Sequence, residues 1–376
     1  MERRRKKKIS TKKVLKIIIP LIIVIILLIN TKNIITLYQS KVTGYKFDTI
    51  NTFHELDVYD NIKKHAYSST LEKIITTEYY NPLYLDSYLD IKYYEKENYF
   101  DNINKLLNIG YNANEINDIN SKLLDKSINL LISNDYLKDI SSIINLEYFN
   151  EDNLERYLTY NKNNELDYVD LITYVNADLD HKYYTGVKDI TDPKDILVLV
   201  NKYNKLPSTY EPDDLEAISN KYNRGFNNKM RHDAKVAFEE MAEAATKDNI
   251  YIYSGSAYRS YSYQANLYNR YVASNGFDDA ETFSARAGYS EHQTGLATDI
   301  MNANYEYISA NMKEYTWLLN NSYKYGFILR YPKGKEKITG YMYEEWHFRY
   351  LGKETAEEVN KLGITYDEYI ARSIKK

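Results

Sequence analysis

From Ile17 to Ile29 the chain is aliphatic, interrupted only by Pro20. This run of 13 residues follows a head in which Arg3–Lys8, Lys12 and Lys13 are all basic. Thirteen residues fall short of the roughly 20 that span a bilayer. Val14-Leu15 before the run and Asn30-Thr31 after it extend it, with Lys16 and Lys32 reaching to the two interfaces. The pattern predicts a transmembrane signal anchor over 14–31 and a cytoplasmic basic tail over 1–13. Positive charge on the inner side places the remainder outside the cell membrane as a single-pass protein. The alternative is secretion after signal cleavage, because an apolar stretch of this length also suits a signal peptide. No Ala-x-Ala site follows, which favours the anchor.

Beyond the anchor, residues 40–190 are polar and almost free of Gly and Pro, with short amphipathic helical patterns. Leu106-Leu107, Ile116 and Ile119 are echoed 24 residues later by Leu130-Leu131, Ile140 and Ile143. Leu158, Val169, Ile172 and Val175 suggest a third unit. Each pattern is too short to bury its own face, so stacked helical hairpins are expected. Asp192-Pro193 and Leu206-Pro207 then mark a transition. Between them Ile196–Val200 reads as a short buried strand. From about 195 to 376 the pattern changes. Met230, Ala234, Ala237, Phe238, Met241 and Ala245 recur at helical spacing, and Ile250–Tyr253 reads as a strand. Ser260–Ser274 is a second helix. Ile308, Met312, Tyr315 and Leu318-Leu319 form a third, closed by Gly326. Phe327–Tyr331 and Trp346–Tyr350 are strands. Helices interleaved with few strands, without βαβ alternation, define an α+β fold: a small antiparallel sheet flanked by helices, preceded by the transmembrane helix and the all-helical segment.

Composition changes this picture little. The 42 tyrosines are read as packing, since a Tyr at helical spacing mostly fills core or boundary positions. The absence of cysteine excludes thiolate metal ligands and disulfide staples. Residues 1–16 carry nine Lys or Arg and one Glu; against a net charge of −4, the rest of the chain stands at −12. That balance argues against nucleic acid as a partner.

The candidate chemistry lies in Ser290-Glu291-His292-Gln293-Thr294-Gly295-Leu296-Ala297-Thr298-Asp299. Of six histidines only His292 and His347 follow residue 240, and His347 sits in Glu344-Glu345-Trp346-His347. Two histidines, an aspartate and a spare glutamate are the components of a catalytic zinc site. Three side chains hold the ion, and a free carboxylate accepts the proton of a water in the fourth position. The structural alternative is that His292 caps a loop while His347 packs on Trp346. His54, His65 and His181 have no partners at ligand spacing and read as surface residues.

Four motifs occur in a fixed order: Tyr258-Arg259-Ser260-Tyr261-x-x-Gln264, the Ser290–Asp299 stretch, Gly326-Phe327-x-x-Arg330-Tyr331, and Glu344-x-Trp346-His347-Phe348-Arg349-Tyr350. Together they resemble the zinc D-alanyl-D-alanine carboxypeptidases related to the vancomycin-resistance enzymes (VanY-like, peptidase family M15). Leu199-Val200-Asn201-Lys202 and Tyr210-x-Pro212-Asp213-Asp214-Leu215 are similar to that family's entry into the domain. The resemblance covers about 195–352. It implies one zinc ion held by His292, Asp299 and His347, Glu344 as general base, and Arg259 as the cation facing the oxyanion. Ser290 and Gln264 are implied partners of the substrate terminus. The implied activity is removal of the terminal D-alanine from peptidoglycan stem peptides. The alternatives are L,D-carboxypeptidase action on tetrapeptide stems, an endopeptidase, or a non-catalytic wall-binding module. Two positions depart from the family, which has proline in place of Ala287 and of Glu345. Without that proline, strand parity in 344–348 would put Glu345 on the face of His347; the family pattern selects Glu344.

Overall fold

The computed structural model describes residues 11–164 and 166–373. Most of the expected basic tail therefore lies outside the described residues. The chain forms two compact units, Met1–Asn145 and Leu146–Lys376.

In the first unit one helix runs over Thr11–Thr43, well past the expected end at residue 31. Its Val14–Thr43 part is long and apolar enough to cross a membrane by length and composition, and is the one such helix among the described residues. Asn30 and Thr31 do not stop it: the Thr31 hydroxyl donates back to Leu27 O and leaves the helix intact. Short helices follow, and helices two apart along the chain pack together. Tyr99–Ile109 lies against Asp125–Ile132, and Ala113–Lys122 against Ile140–Asn145. Of the echoed apolar positions, Leu106, Ile116, Ile119, Leu131, Ile140 and Ile143 are fully buried, while Leu107 and Leu130 are half-buried. Tyrosines tie successive hairpins together. Ser68 N donates to Tyr45 Oη at 2.8 Å, and Leu137 N to Tyr111 Oη at 3.0 Å. Tyr45 and Tyr111 are 1% exposed, in line with the packing role read from composition.

The division between the units falls inside the helical stretch expected over 40–190. Helix Tyr168–Asn176 belongs with the second unit, where it packs on the C-terminal helix Tyr366–Arg372. Asn176 Nδ2 donates to Ala371 O and Arg372 Nε to Thr173 Oγ1.

The second unit is built on one four-stranded sheet whose strands, labelled in chain order, are β1 (Tyr253–Ser256), β2 (Ala297–Met301), β3 (Phe327–Leu329) and β4 (His347–Tyr350). Their spatial order is β1-β2-β4-β3, and all neighbours are antiparallel. Two further pairs, Lys188–Asp189 with Asn204–Lys205 and Leu215–Ala217 with Lys229–Arg231, flank it. Helix Tyr261–Asn275 matches its expected counterpart; His232–Lys247 starts after Met230, which lies in the strand Lys229–Arg231, and Lys313–Asn321 starts after Ile308 and Met312 and is continued by a 3-10 turn to Gly326 in the left-handed conformation. Side chains alternate along the strands. Ile300 and Phe348 join Phe238, Met241 and Phe327 in the main core, while Asp299, His347 and Arg349 take the other parity.

Two expected strands differ. Residues 250–252 stay outside the ladder, and β1 starts at Tyr253, the first residue paired with β2. Its Ser-Gly-Ser sequence carries no apolar signal. Residues 196–200 form a turn and an extended run, with Val198 and Val200 buried. Their carbonyls are not paired by a strand. Arg349 Nη2 donates to Ile196 O and Val198 O, and the Tyr366 hydroxyl donates to Leu197 O. Side chains satisfy there what a ladder normally would.

Candidate metal centre and catalytic pocket

Sheet register brings two of the three candidate ligands together. Asp299 on β2 stands directly opposite His347 on β4, a cross-strand placement that puts side chains of one face in contact. The third, His292, sits on the 3-10 turn Glu291–Thr294 leading into β2. That turn closes on Gly295 at φ 69°, where an added Cβ would meet Leu215 Cδ2 at 2.9 Å. Arg259 N donates to His292 O at 3.2 Å, so the loop leaving β1 is tied to the same turn.

The donor atoms converge. One ligand atom each from His292, Asp299 and His347 lies within 4.8 Å of the others, and all three residues are buried. Asp299 Oδ1 is 3.4 Å from His292 Nε2 and 3.1 Å from His347 Nδ1. His292 Nδ1 is 2.7 Å from Ala257 O, which takes its N–H and leaves Nε2 with its lone pair. The two rings stand perpendicular, 4.8 Å apart. Two imidazoles, neutral once a metal replaces their protons, and one carboxylate, with donor atoms this close together, suit a tetrahedral zinc ion with one position open.

Electrostatics agree with a cation-binding cluster. Burial pushes the His292 pKa down to about 4, helped by the Arg259 charge, which keeps the ring neutral. Burial opposes charge on Asp299 as well, but His292 and Arg259 outweigh it and hold the carboxyl well below its usual range. His347 is also opposed by burial, yet its contacts with Asp299 and Glu291 raise it to about 9. The cluster thus attracts a proton where the ligand geometry would accept a metal.

A cavity of about 390 Å³ opens over this point. Arg259, Gln264, Ser290, Glu344 and the three candidate ligands all line it, together with Tyr271, Phe283 and Trp346. Every site residue singled out in the sequence is therefore at one place. Arg259 is fixed by Nε to Ser256 Oγ and by Nη2 to Asp299 Oδ2. Gln264 is 2% exposed; its Nε2 donates to Ala285 O, and its Oε1 has no partner. Ser290 is likewise buried.

The Glu344–Glu345 ambiguity has a structural resolution. Residues 345 and 346 form a turn and β4 begins only at His347, so strand parity does not apply. His347 N reaches back to Glu344 O at 3.4 Å, and Glu344 N donates to Tyr331 O. The bend survives the loss of the family proline. Glu344 lines the cavity with Oε2 3.7 Å from His347 Nδ1, whereas Glu345 does not line it. Burial raises the Glu344 pKa to about 7, only partly offset by His347. His54, His65 and His181 are exposed, as expected.

Other residues matter here, most of them quoted within the motifs but given no role by them. Glu291, Arg330 and Arg349 are at most 1% exposed. Arg330 Nε and Arg349 Nη1 donate to Glu291 Oε1 at 2.7 and 2.9 Å. Arg330 Nη1 also donates to Asp367 Oδ2 at 2.6 Å, and Asn201 Nδ2 donates to Asp367 Oδ1 at 2.9 Å. Lys202 is 3% exposed; its Nζ donates to Glu281 O at 2.8 Å and lies 4.5 and 4.8 Å from the ring centres of Tyr183 and Tyr341. The signal was present as arginines and a lysine in otherwise buried strands and motifs; their partners are 37 to 79 residues away.

A buried His–Asp–His cluster beside a raised carboxyl, at the floor of a cavity on a small antiparallel sheet, defines a metallopeptidase type of site. The family model for VanY, D-alanyl-D-alanine carboxypeptidase, matches residues 227–353. The chain is 39% identical over 206 residues to the Bacillus subtilis protein YodJ, an alignment covering 52% of this chain and 74% of YodJ. It is 37% identical over 185 residues to a D-alanyl-D-alanine carboxypeptidase of Enterococcus faecalis, covering 46% of this chain and 65% of that protein. Among solved structures, the LdcB LD-carboxypeptidase aligns at 38% identity over 52% of this chain and 94% of that one, with a TM-score of 0.48. VanYB in complex with D-alanine-D-alanine aligns at 34% identity over 47% and 98%, with a TM-score of 0.42. The chain belongs to the VanY family of D-alanyl-D-alanine carboxypeptidases.

Proposed function

We propose that this chain is a membrane-anchored, zinc-dependent carboxypeptidase that removes the terminal D-alanine from peptidoglycan stem peptides outside the cell. The observation that carries this is the convergence of His292, Asp299 and His347 beneath a cavity that also holds Glu344 and Arg259. Three donors aimed at one point support a single ion. The apolar helix Val14–Thr43 and the basic residues before it support an anchor with its N-terminus in the cytoplasm. We assign the helical segment to 40–190 and the catalytic domain to 195–376.

Bound zinc supplies Lewis acidity toward a water and a peptide carbonyl. The chain's own residues do the rest. Glu344 is buried and poised near neutrality. It accepts the proton of the attacking water and returns it to the leaving amine. Arg259, held by Ser256 and Asp299, keeps Nη1 for the oxygen that gains charge as the carbonyl becomes tetrahedral. Ser290 donates to the substrate's terminal carboxylate. Gln264, with Nε2 engaged by Ala285, offers Oε1 to a substrate amide N–H.

The test is to incubate the full-length protein in detergent with a pentapeptide stem and a tetrapeptide stem, with zinc, and identify products by mass spectrometry. D-alanine from the pentapeptide is the expected product. Cleavage of the tetrapeptide alone makes the enzyme an L,D-carboxypeptidase, and an unchanged pair of peptides contradicts catalysis.

A further inference from the structure

His347 presents two nitrogens to two different carboxylates. Nδ1 faces Asp299 Oδ1 at 3.1 Å, on the side of the converging donors. Nε2 faces Glu291 Oε2 at 3.5 Å on the opposite side. These two facing atoms, His347 Nε2 and Glu291 Oε2, are both buried and have no hydrogen-bond partner. At 3.5 Å each can satisfy the other. A carboxylate accepts only, so it can be matched only by a proton on Nε2. With Nε2 protonated toward Glu291, Nδ1, which hydrogen-bonds Asp299 Oδ1 at 3.1 Å, is the nitrogen that gives up its proton to a metal.

We propose that Glu291 is a positioning residue for the metal centre: it holds His347 in the tautomer that offers Nδ1 to zinc. This rests on the zinc reading above.

The surroundings suit that role. Glu291 is 1% exposed, and an unpaired carboxylate there would be strongly disfavoured. Its other oxygen, Oε1, receives Arg330 Nε and Arg349 Nη1, so the carboxylate is charge-balanced and its plane is set by two guanidinium groups. Arg349 is on β4, two residues beyond His347, and Arg330 N donates to His347 O at 3.1 Å. The ring, its backbone and its carboxylate partner are therefore fixed by the same two arginines. Asp367, on the C-terminal helix, holds the far side of Arg330. Position 291 also immediately precedes His292 on the 3-10 turn, so a single turn carries one candidate ligand and the residue that orients another. Carboxylate partners of this kind fix ring orientation and raise ligand basicity.

The experiment uses the full-length protein in detergent. In protein loaded with cadmium-113 and labelled with nitrogen-15 histidine, the metal should couple to Nδ1 of His347 and to Nε2 of His292. Coupling to Nε2 of His347 overturns the proposal without any variant. In Glu291→Gln the arginines keep the side-chain oxygen as an acceptor, and the amide N–H₂ faces His347, where it clashes with a proton on Nε2. Zinc affinity, measured by competition with a chromophoric chelator, should fall about 10- to 100-fold. Glu291→Asp, which keeps the carboxylate, should recover part of the affinity. Unchanged zinc affinity in a folded Glu291→Gln protein overturns the positioning role. A wild-type protein that binds no zinc overturns the zinc reading itself, a separate result.

Discussion

Replacing Glu344 by Gln removes the candidate base and little else. The residue is 7% exposed, and an amide of the same shape fits without disturbing the bend at 345–346 or the ligands. A positioned general base contributes about 10²- to 10⁴-fold, or roughly 3–5 kcal/mol of barrier at 1.36 kcal/mol per decade. Glu344→Gln should therefore lower kcat by two to four decades with zinc content unchanged. Glu345, which does not line the cavity, should change kcat by less than about threefold when replaced by Gln. The pH profile sharpens the distinction. Burial raises the Glu344 pKa to about 7, so the carboxylate is lost as pH falls through that region, and activity should fall with it. A zinc ion beside Glu344 adds to the lowering by His347 and moves this limb to or below pH 7. Stopped assays of D-alanine release from a pentapeptide stem between pH 5 and 9 would show the limb in wild type and its absence in Glu344→Gln. A Glu344→Gln enzyme with near-normal turnover, or a larger loss in Glu345→Gln, would refute the assignment.

Further outcomes follow from the buried charges. Asp299→Asn should abolish measurable zinc binding at micromolar zinc while leaving the circular dichroism spectrum intact; retained stoichiometric zinc would contradict the ligand set. Arg330→Met leaves Glu291 and Asp367 each short of a buried cation, a change that typically costs about 3–5 kcal/mol, and should lower the thermal midpoint measurably. A midpoint within a degree of wild type would count against the network. Burial lowers the Lys202 pKa from 10.5 to about 8. The unfolded chain then holds the proton between pH 8 and 10.5 while the folded protein releases it, so stability linked to Lys202 rises with pH across that window. The stability advantage of Lys202→Met over wild type should shrink from pH 7 to pH 10, and a constant difference would exclude the linkage.

The site was legible where chemistry is rare in the chain. With only six histidines, His292 and His347 stand out, and Asp299 follows from the motif. The long helices were legible because Ala234 to Ala245 repeats its apolar face over about three turns. What escaped depends on contacts between distant residues. Residues 196–200 look like a strand, yet their carbonyls are taken by Arg349 and Tyr366, more than 150 residues away. β1 is polar in its Ser-Gly-Ser part, so hydrophobicity placed the strand three residues early. The bend at 345–346 has no proline to announce it, and periodicity alone favoured Glu345, which does not line the cavity. Glu291 was visible as a letter in a motif, but its contacts required His347 and Arg349 on β4 and Arg330 just beyond β3 to come together with it.

The most direct test of the account is a zinc titration of chelator-stripped, full-length protein, following D-alanine release from a pentapeptide stem. No release is expected without metal, followed by a rise that saturates at one zinc per chain. Release by the stripped protein, saturation only at two or more ions, or no release at any zinc level would contradict it.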